Sequence, residues 1–241
     1  MSAAAFVRRA FGPEGWNRTP CGGPEVWTIP LDDPRVLALG RAALPPEEEA
    51  AGRRFVSSTL ADRYVAAHGA LRLLLGRWLG CGPREVRFFR NACGKPFVEG
   101  GPHFSLSHAE GLAAVAIVPD HEVGVDIERV KPFPGMADIV EQFFSPHERS
   151  WIAEGIPPEG RFFRCWVLRE AFVKALGEGL SFSLDRFRVR MPLDCGGGVS
   201  IFLKDGGVHD VGLTEWRPAE GFAGALAVRG RPFTVYEQEL L

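Results

Sequence analysis

Asp126 and Glu128 stand two apart in the segment EVGVDIE. In an extended strand that spacing sends both carboxylates to one face, while Val125 and Ile127 turn to the other. Such a pair suits a solvated strand face as readily as a metal site. A third carboxylate comes from RFFRCWVLREAFVKALGEG, where Trp166, Glu170 and Lys174 recur every four residues and so form one stripe of a helix. Glu170 ahead of Lys174 also describes an ordinary surface ion pair. If the stripe faces the strand, three carboxylates meet, and like charges in a partly dry site repel unless a cation neutralises them. All ligands would then be oxygens, which suits Mg²⁺ better than zinc or a softer metal and makes a phosphate-bearing substrate the natural companion. Ser107 and His108 close HFSLSH, where strand gives way to turn, and offer a hydroxyl and an imidazole either to a phosphate or to nearby backbone. Lys95 lies in GKP, a turn that carries the lysine outward.

These residues need elements to hold them. The first forty residues are rich in Pro and Gly, with VWTIPL (26–31) as the one clear strand. From Pro45 to Gly80 acidic residues lead a run whose apolar positions recur every three or four residues, which predicts one or two helices. EVRFFRNACGKPFV, HFSLSH, GLAAVAIV and EVGVDIE follow as consecutive short strands. The PDH between Val118 and Glu122 makes 112–128 read as a hairpin, with Asp126 and Glu128 on its second arm. FFSPHE starts a helix: Ser145 caps, Pro146 suits the first turn and Glu148 can bond back to the cap. The longer helix bearing Glu170 stops at Gly177 and Gly179. FSLDRFRVRM, GVSIFLK, VGLTEW and FAGALAV return to strand character.

At 241 residues the chain is long enough for one large domain or two that share an interface, and its 46% apolar content supplies a core. A net charge of −2 excludes a general nucleic-acid binder, so any phosphate binding is local. Five cysteines, widely spaced and without a CxxC pair, read as reduced thiols rather than a disulfide framework or a zinc site. No apolar run approaches the length of a membrane span, and a cytoplasmic location is expected.

The ordered set GKPF, FSLSH, VGVDIE, FFSPHE and WVLREAFVKALGEGL resembles the 4′-phosphopantetheinyl transferase superfamily, of the larger surfactin-synthetase-activating type. The likeness runs from about Arg53 to Phe187. It implies an α+β fold built as a pseudo-dimer, two similar α/β subdomains related by a pseudo-twofold axis, with coenzyme A in the cleft between them. The expected division is 1–120, for coenzyme A contacts, and 121–241, for the metal site and catalytic helix. The resemblance further implies a Mg²⁺-dependent transfer of phosphopantetheine from coenzyme A to a serine of acyl or peptidyl carrier proteins, releasing 3′,5′-ADP. Asp126, Glu128 and Glu170 would bind Mg²⁺, with Glu170 also the base. Lys174 would hold the pyrophosphate or protonate the departing phosphate. Lys95, Ser107 and His108 would touch the coenzyme A phosphates, and Arg54 and Arg90 the 3′-phosphate.

Three positions depart from the family pattern: Ser105 replaces an Asn, Ala109 a Ser and Arg169 a Lys. Arg169 keeps the charge, and with it a phosphate contact, but cannot act as an acid. Carrier proteins are commonly acidic, so an apolar surface with basic residues is expected to receive them; Phe143, Phe144 and Trp151 are one candidate region, where core packing is the competing explanation. The protein is expected to be a monomer without nucleic-acid or membrane partners. Two other readings remain open, a non-catalytic homologue that binds coenzyme A or a carrier protein, and a Mg²⁺-dependent pyrophosphohydrolase.

Overall fold

The structure is a computed structural model and describes residues 4–11, 24–179, 186–190, 200–203, 210–230 and 233–236. Its strands are β1 Ala4–Ala10, β2 Glu25–Pro30, β3 Phe89–Arg90, β4 Pro96–Phe97, β5 His103–Ala109, β6 Leu112–Val118, β7 Val123–Arg129, β8 Phe187–Arg190, β9 Ser200–Leu203, β10 Val211–Trp216, β11 Phe222–Arg229 and β12 Phe233–Tyr236. The helices are α1 Pro34–Ala43, α2 Pro46–Gly52, α3 Ser58–Leu79, α4 Met136–Phe143, α5 Pro146–Ala153 and α6 Pro158–Leu176.

Two helix-on-sheet halves stand back to back, an α+β arrangement of the paired kind expected. The first half is a five-stranded sheet in the order β12-β1-β2-β6-β5, and the second a three-stranded sheet in the order β10-β11-β7. Strand alternation assigns the faces. On β2 and β6, Trp27, Ile29, Val115 and Ile117 turn toward Ala66, Ala70 and Leu74 of α3. Val26, Ala114, Ala116 and Val118 turn the other way and meet Val123, Val125, Ile127, Leu226 and Val228 of the second sheet. That sheet's outer face, Ala223, Ala225 and Ala227, packs on Leu168, Ala171, Phe172 and Ala175 of α6. The layers therefore run α3, sheet, sheet, α6.

The burial of β6 on both faces corrects the expected hairpin at 112–128. A strand covered by a helix on one side and a sheet on the other reads as a continuous apolar run, which carries no sign of its partner. β6 pairs with β2 and β5, whereas β7 pairs with β11, so the turn between them passes from one sheet to the other. The Gly- and Pro-rich start is also more ordered than its composition implies: β1 and α1 both lie in it, and β1 pairs in parallel with β2 on one side and β12 on the other. Asp33 starts α1 by accepting from the Arg35 backbone N–H at 2.8 Å.

The helices expected at 45–80 form, whereas the strand expected over EVRFFRNACGKPFV is reduced to β3 and β4 on either side of the GKP turn, and of FSLDRFRVRM and GVSIFLK only β8 and β9 are seen, the remainder lying outside the described residues. α2 and α3 fill the 45–80 segment, and α3 ends at Gly80 in the left-handed region, φ 68°. Ser145 and Glu148 make the capping box: the Ser145 N–H donates to Glu148 Oε2 at 2.7 Å and the Glu148 N–H to Ser145 Oγ at 3.4 Å. Cys81, Cys93 and Cys165 are free thiols, as expected; Cys21 and Cys195 lie outside the described residues.

Candidate functional site

β7 delivers Asp126 and Glu128 to the side occupied by α6, and Gly124 two residues earlier lets the helix come that near. A Cβ at Gly124 would stand 2.0 Å from the Ala171 carbonyl oxygen and 2.4 Å from the Ala175 nitrogen. With only a hydrogen there, α6 lies directly on the strand, and Glu170 and Lys174 meet Asp126 across the contact. The stripe thus faces the strand. Lys174 ignores its helical neighbour Glu170 and donates to Asp126 Oδ1 at 2.7 Å and to Ser107 Oγ at 3.1 Å.

β5 runs along the exposed edge of β7 and closes the site from the first half. Ser107 donates its hydroxyl proton to Asp126 Oδ1 at 2.8 Å. Ser107 Oγ in turn accepts the Ile127 N–H at 3.4 Å, and Ser105 Oγ accepts the Val125 N–H at 3.0 Å. The two sheets are therefore joined at this seam by serine hydroxyls rather than by a backbone ladder. Ser105, at the unusual position, satisfies a buried amide of the neighbouring strand, so the departure from Asn has a structural role.

Together Ser107, His108, Asp126, Glu128, Trp166, Glu170 and Lys174 line a cavity of about 350 Å³. Its electrostatics are those of crowded acids. Burial raises Asp126 despite the Lys174 charge and the Ser107 hydrogen bond. Burial, then Asp126 and Glu170, push Glu128 up to about 7. Glu170 is raised by burial and next by Asp126. His108, on the solvent side of β5, is lowered by the crowding around its ring and by Lys174. Asp126 Oδ2 is buried and has no hydrogen-bond partner. A divalent cation would supply that partner and relieve the mutual repulsion of the three acids. As placed, no group of three His, Cys, Asp or Glu among the described residues is arranged to hold a metal ion. The donor chemistry fits a hard cation, but Asp126 is at present paired with Lys174.

A second cavity, about 570 Å³, opens between the halves and adjoins the first at Lys174. Tyr64, His68, Leu71, Phe88 and Phe104 give it an apolar wall, and Arg90, Lys95 and Lys174 border it. Burial drives His68 down to about 4, so its ring, tilted against Tyr64 with centroids 4.2 Å apart, is neutral. The GKP turn is fastened to the end of α6: Asn91 accepts from the Cys93 and Lys95 backbone N–H groups, both at 2.9 Å, and donates to the Gly177 carbonyl at 2.9 Å. Gly177 caps α6 with φ 72°, and a Cβ there would meet Lys95 Cδ at 3.2 Å. Arg90 closes the same turn on the Gly94 carbonyl at 2.7 Å.

Not every expected residue arrives at a cavity. Arg54 is exposed on the turn after α2 and lines neither of these two cavities. Arg169 corrects the phosphate contact expected of it. One position off the Glu170 stripe, it points into the core, fully buried, and donates to Glu148 Oε1 at 2.7 Å and the Phe143 carbonyl at 2.9 Å. The guanidinium lies over Phe144 and Phe187, 4.9 and 4.5 Å from the ring centroids. Of Phe143, Phe144 and Trp151, considered for docking, Phe144 and Trp151 are core residues at 3% and 6% exposure and Phe143 is half-buried against the same core. Sequence reasoning missed Asn91 and Glu122; the Asn three residues before Gly94 was the one available sign of the first, and no local motif marked the second.

The family model described as the 4′-phosphopantetheinyl transferase superfamily matches residues 122–227. The chain is 35% identical over 165 residues to the 4′-phosphopantetheinyl transferase HetI of Nostoc sp., covering 65% of this chain and 69% of that one. It is 36% identical over 191 residues to a 4′-phosphopantetheinyl transferase of Bacillus subtilis, covering 76% and 82%. Among solved structures, the holo-[acyl-carrier-protein] synthase of Thermotoga maritima aligns over 46% of this chain and 63% of that chain, at 25% identity and a TM-score of 0.37.

Proposed function

The chain belongs to the 4′-phosphopantetheinyl transferase superfamily, and on that premise we propose that it moves phosphopantetheine from coenzyme A to a serine of an acyl or peptidyl carrier protein. The observation that carries the reading is the buried, unpartnered Asp126 Oδ2 in a cavity shared with Glu128 and Glu170, adjoining a larger cavity bordered by three cations. Asp126, Glu128 and Glu170 are the residues that would hold Mg²⁺, which when bound offsets charge on the pyrophosphate.

The chain's own groups supply the rest. Lys174 borders both cavities, so its ammonium can follow the phosphate charge from the donor to the departing 3′,5′-ADP. Glu170 accepts the proton of the attacking serine hydroxyl; the burial that raises it makes it a stronger base than a surface glutamate. Lys95, Ser107 and His108 hold the donor phosphates and Arg90 the 3′-phosphate, while Arg54, outside both cavities, could join Arg90 only by a movement of the turn after α2. Residues 1–120 serve mainly donor binding and 121–241 the acids and the catalytic helix, with β12 crossing back to the first sheet. Positioning two substrates, rather than covalent chemistry, is the protein's main contribution.

The partner is a carrier protein, met by surface other than Phe144 and Trp151, and the protein acts as a monomer in the cytoplasm. Among the described residues no helix is long and apolar enough to cross a membrane. The test is the mass of an apo carrier protein after incubation with this protein, coenzyme A and Mg²⁺, beside an EDTA control. A gain of one phosphopantetheine that EDTA abolishes supports the reading. Coenzyme A binding without any gain across several carriers would point to the non-catalytic homologue, and release of 3′,5′-ADP with no carrier present to the hydrolase.

A further inference from the structure

Three cations border the larger cavity, and two of them are already spoken for. Lys174 is held by Asp126. Lys95, whose side chain is 16% exposed, is held by Glu122 and donates also to the Val123 carbonyl at 3.1 Å. Glu122 does not line the cavity; it lies outside, in the turn leading into β7, with His103 Nδ1 at 3.3 Å from its other oxygen. Although burial opposes its ionisation, the His103 and Lys95 hydrogen bonds bring Glu122 down to about 2. These partners hold the Glu122 carboxylate ionised.

The Lys95 backbone and the ammonium are thus fixed by different means. Asn91 holds the backbone and Gly177 leaves room for the stem, whether or not Glu122 is present. Only the ammonium depends on the carboxylate. An ammonium has three donors and can change partners by rotating its stem, unlike a guanidinium locked in a fork. A phosphate entering the cavity offers Lys95 a second anionic partner, and the two anions compete for it.

We propose that Glu122 is the resting counter-ion of Lys95, exchanged for a donor phosphate when coenzyme A binds, and so a positioning residue that sets the affinity for the anionic donor. This rests on the reading that Lys95 contacts those phosphates. Glu122 keeps a partly buried ammonium paired while the cavity is empty, which avoids the cost of an unpaired charge. It also weakens binding of any anion too poorly charged to displace it, a form of selection for multiply charged donors.

The test compares wild type, Glu122→Gln, Lys95→Ala and the double variant. Two readouts are used: KM and kcat for coenzyme A in carrier modification, and the Kd of 3′,5′-ADP alone by calorimetry. Glu122→Gln should lower both KM and Kd about fivefold, within the usual range of a coupling between groups in contact, while kcat moves less than about twofold. In the Lys95→Ala background the same substitution should change Kd by less than about twofold. Should Glu122→Gln lose its cooperative unfolding transition, Glu122→Asp, with its shorter reach, carries the test in the same direction. A KM and Kd that rise or stay fixed in the glutamine variant, or an effect of equal size without Lys95, would overturn the exchange. A wild type that transfers phosphopantetheine but shows no Glu122 effect defeats only this inference; a wild type that neither transfers nor binds 3′,5′-ADP defeats the reading beneath it as well.

Discussion

The two halves use a helix on a sheet for opposite ends. In the second half α6 lies straight on β7 and β11 through Gly124, Ala171, Ala175, Ala223 and Ala225, and the closeness brings Glu170 and Lys174 to Asp126. In the first half α3 is held off its sheet by Trp27, Ile29, Phe104 and Leu74, and Leu71, Phe88 and Phe104 border a void of about 570 Å³. Small residues at a contact give fixed distances between charges; large ones give space for a guest. On the proposed reading, the division between a reacting centre and a substrate cavity follows in part from side-chain volume.

Removing the carboxylate charge of Glu170 tests the rigid half most severely. Glu170→Gln keeps the volume and should lower transfer by about a thousandfold, the scale of a lost general base, with an unchanged unfolding midpoint; substantial activity would take the base role from it. The contact that places Glu170 is next. Gly124→Ala puts a methyl 2.0 Å from the Ala171 oxygen, and overpacking of that kind should cost about 3 kcal/mol in urea unfolding and lower kcat with it. The matching change in the first half should behave differently. Leu71→Ala enlarges a wall that already borders a cavity, so it should cost about 2 kcal/mol, the low end for such truncations, and raise KM for coenzyme A while sparing kcat. Equal effects on kcat from both variants would erase the distinction between the halves.

The smallest effect is a slope. Glu128 is raised from 4.5 to about 7 in the folded chain, so the folded state keeps this proton longer than the unfolded one does. Its contribution to stability is therefore complete below about 4.5 and lost as pH rises through about 7. Metal-free protein should lose stability across that window in chemical denaturation. Glu128→Gln should flatten the loss, and millimolar Mg²⁺ should reverse it by favouring the ionised acid.

Much of the second half was legible in the sequence because its signals are local. The DxE alternation, the Glu170–Lys174 stripe and the Ser145–Glu148 box each state a period or a cap within a few residues, and each formed as read. What failed depended on partners far along the chain. β6 is buried on both faces, so its apolar run could not say which strands it would meet, and β7, though its alternation was legible, pairs with β11 about a hundred residues on. β1 is ordered by β12, more than two hundred residues away. Arg169 differs from its neighbour Glu170 by one helical step, about 100°, and only the position of Glu148 on α5 shows that it turns inward. Glu122 became visible as a partner only when the GKP turn was folded against the start of β7.

The serine seam between β5 and β7 has a dynamic consequence. The amides of Val125 and Ile127 are covered by hydroxyl oxygens of the other half, not by the ladder of their own sheet. Parting the halves would bare those two N–H groups while every backbone bond between β7 and β11 stays intact. Their hydrogen-exchange rates should therefore report the opening of the cleft separately from global unfolding, and should slow when a ligand holds the halves together.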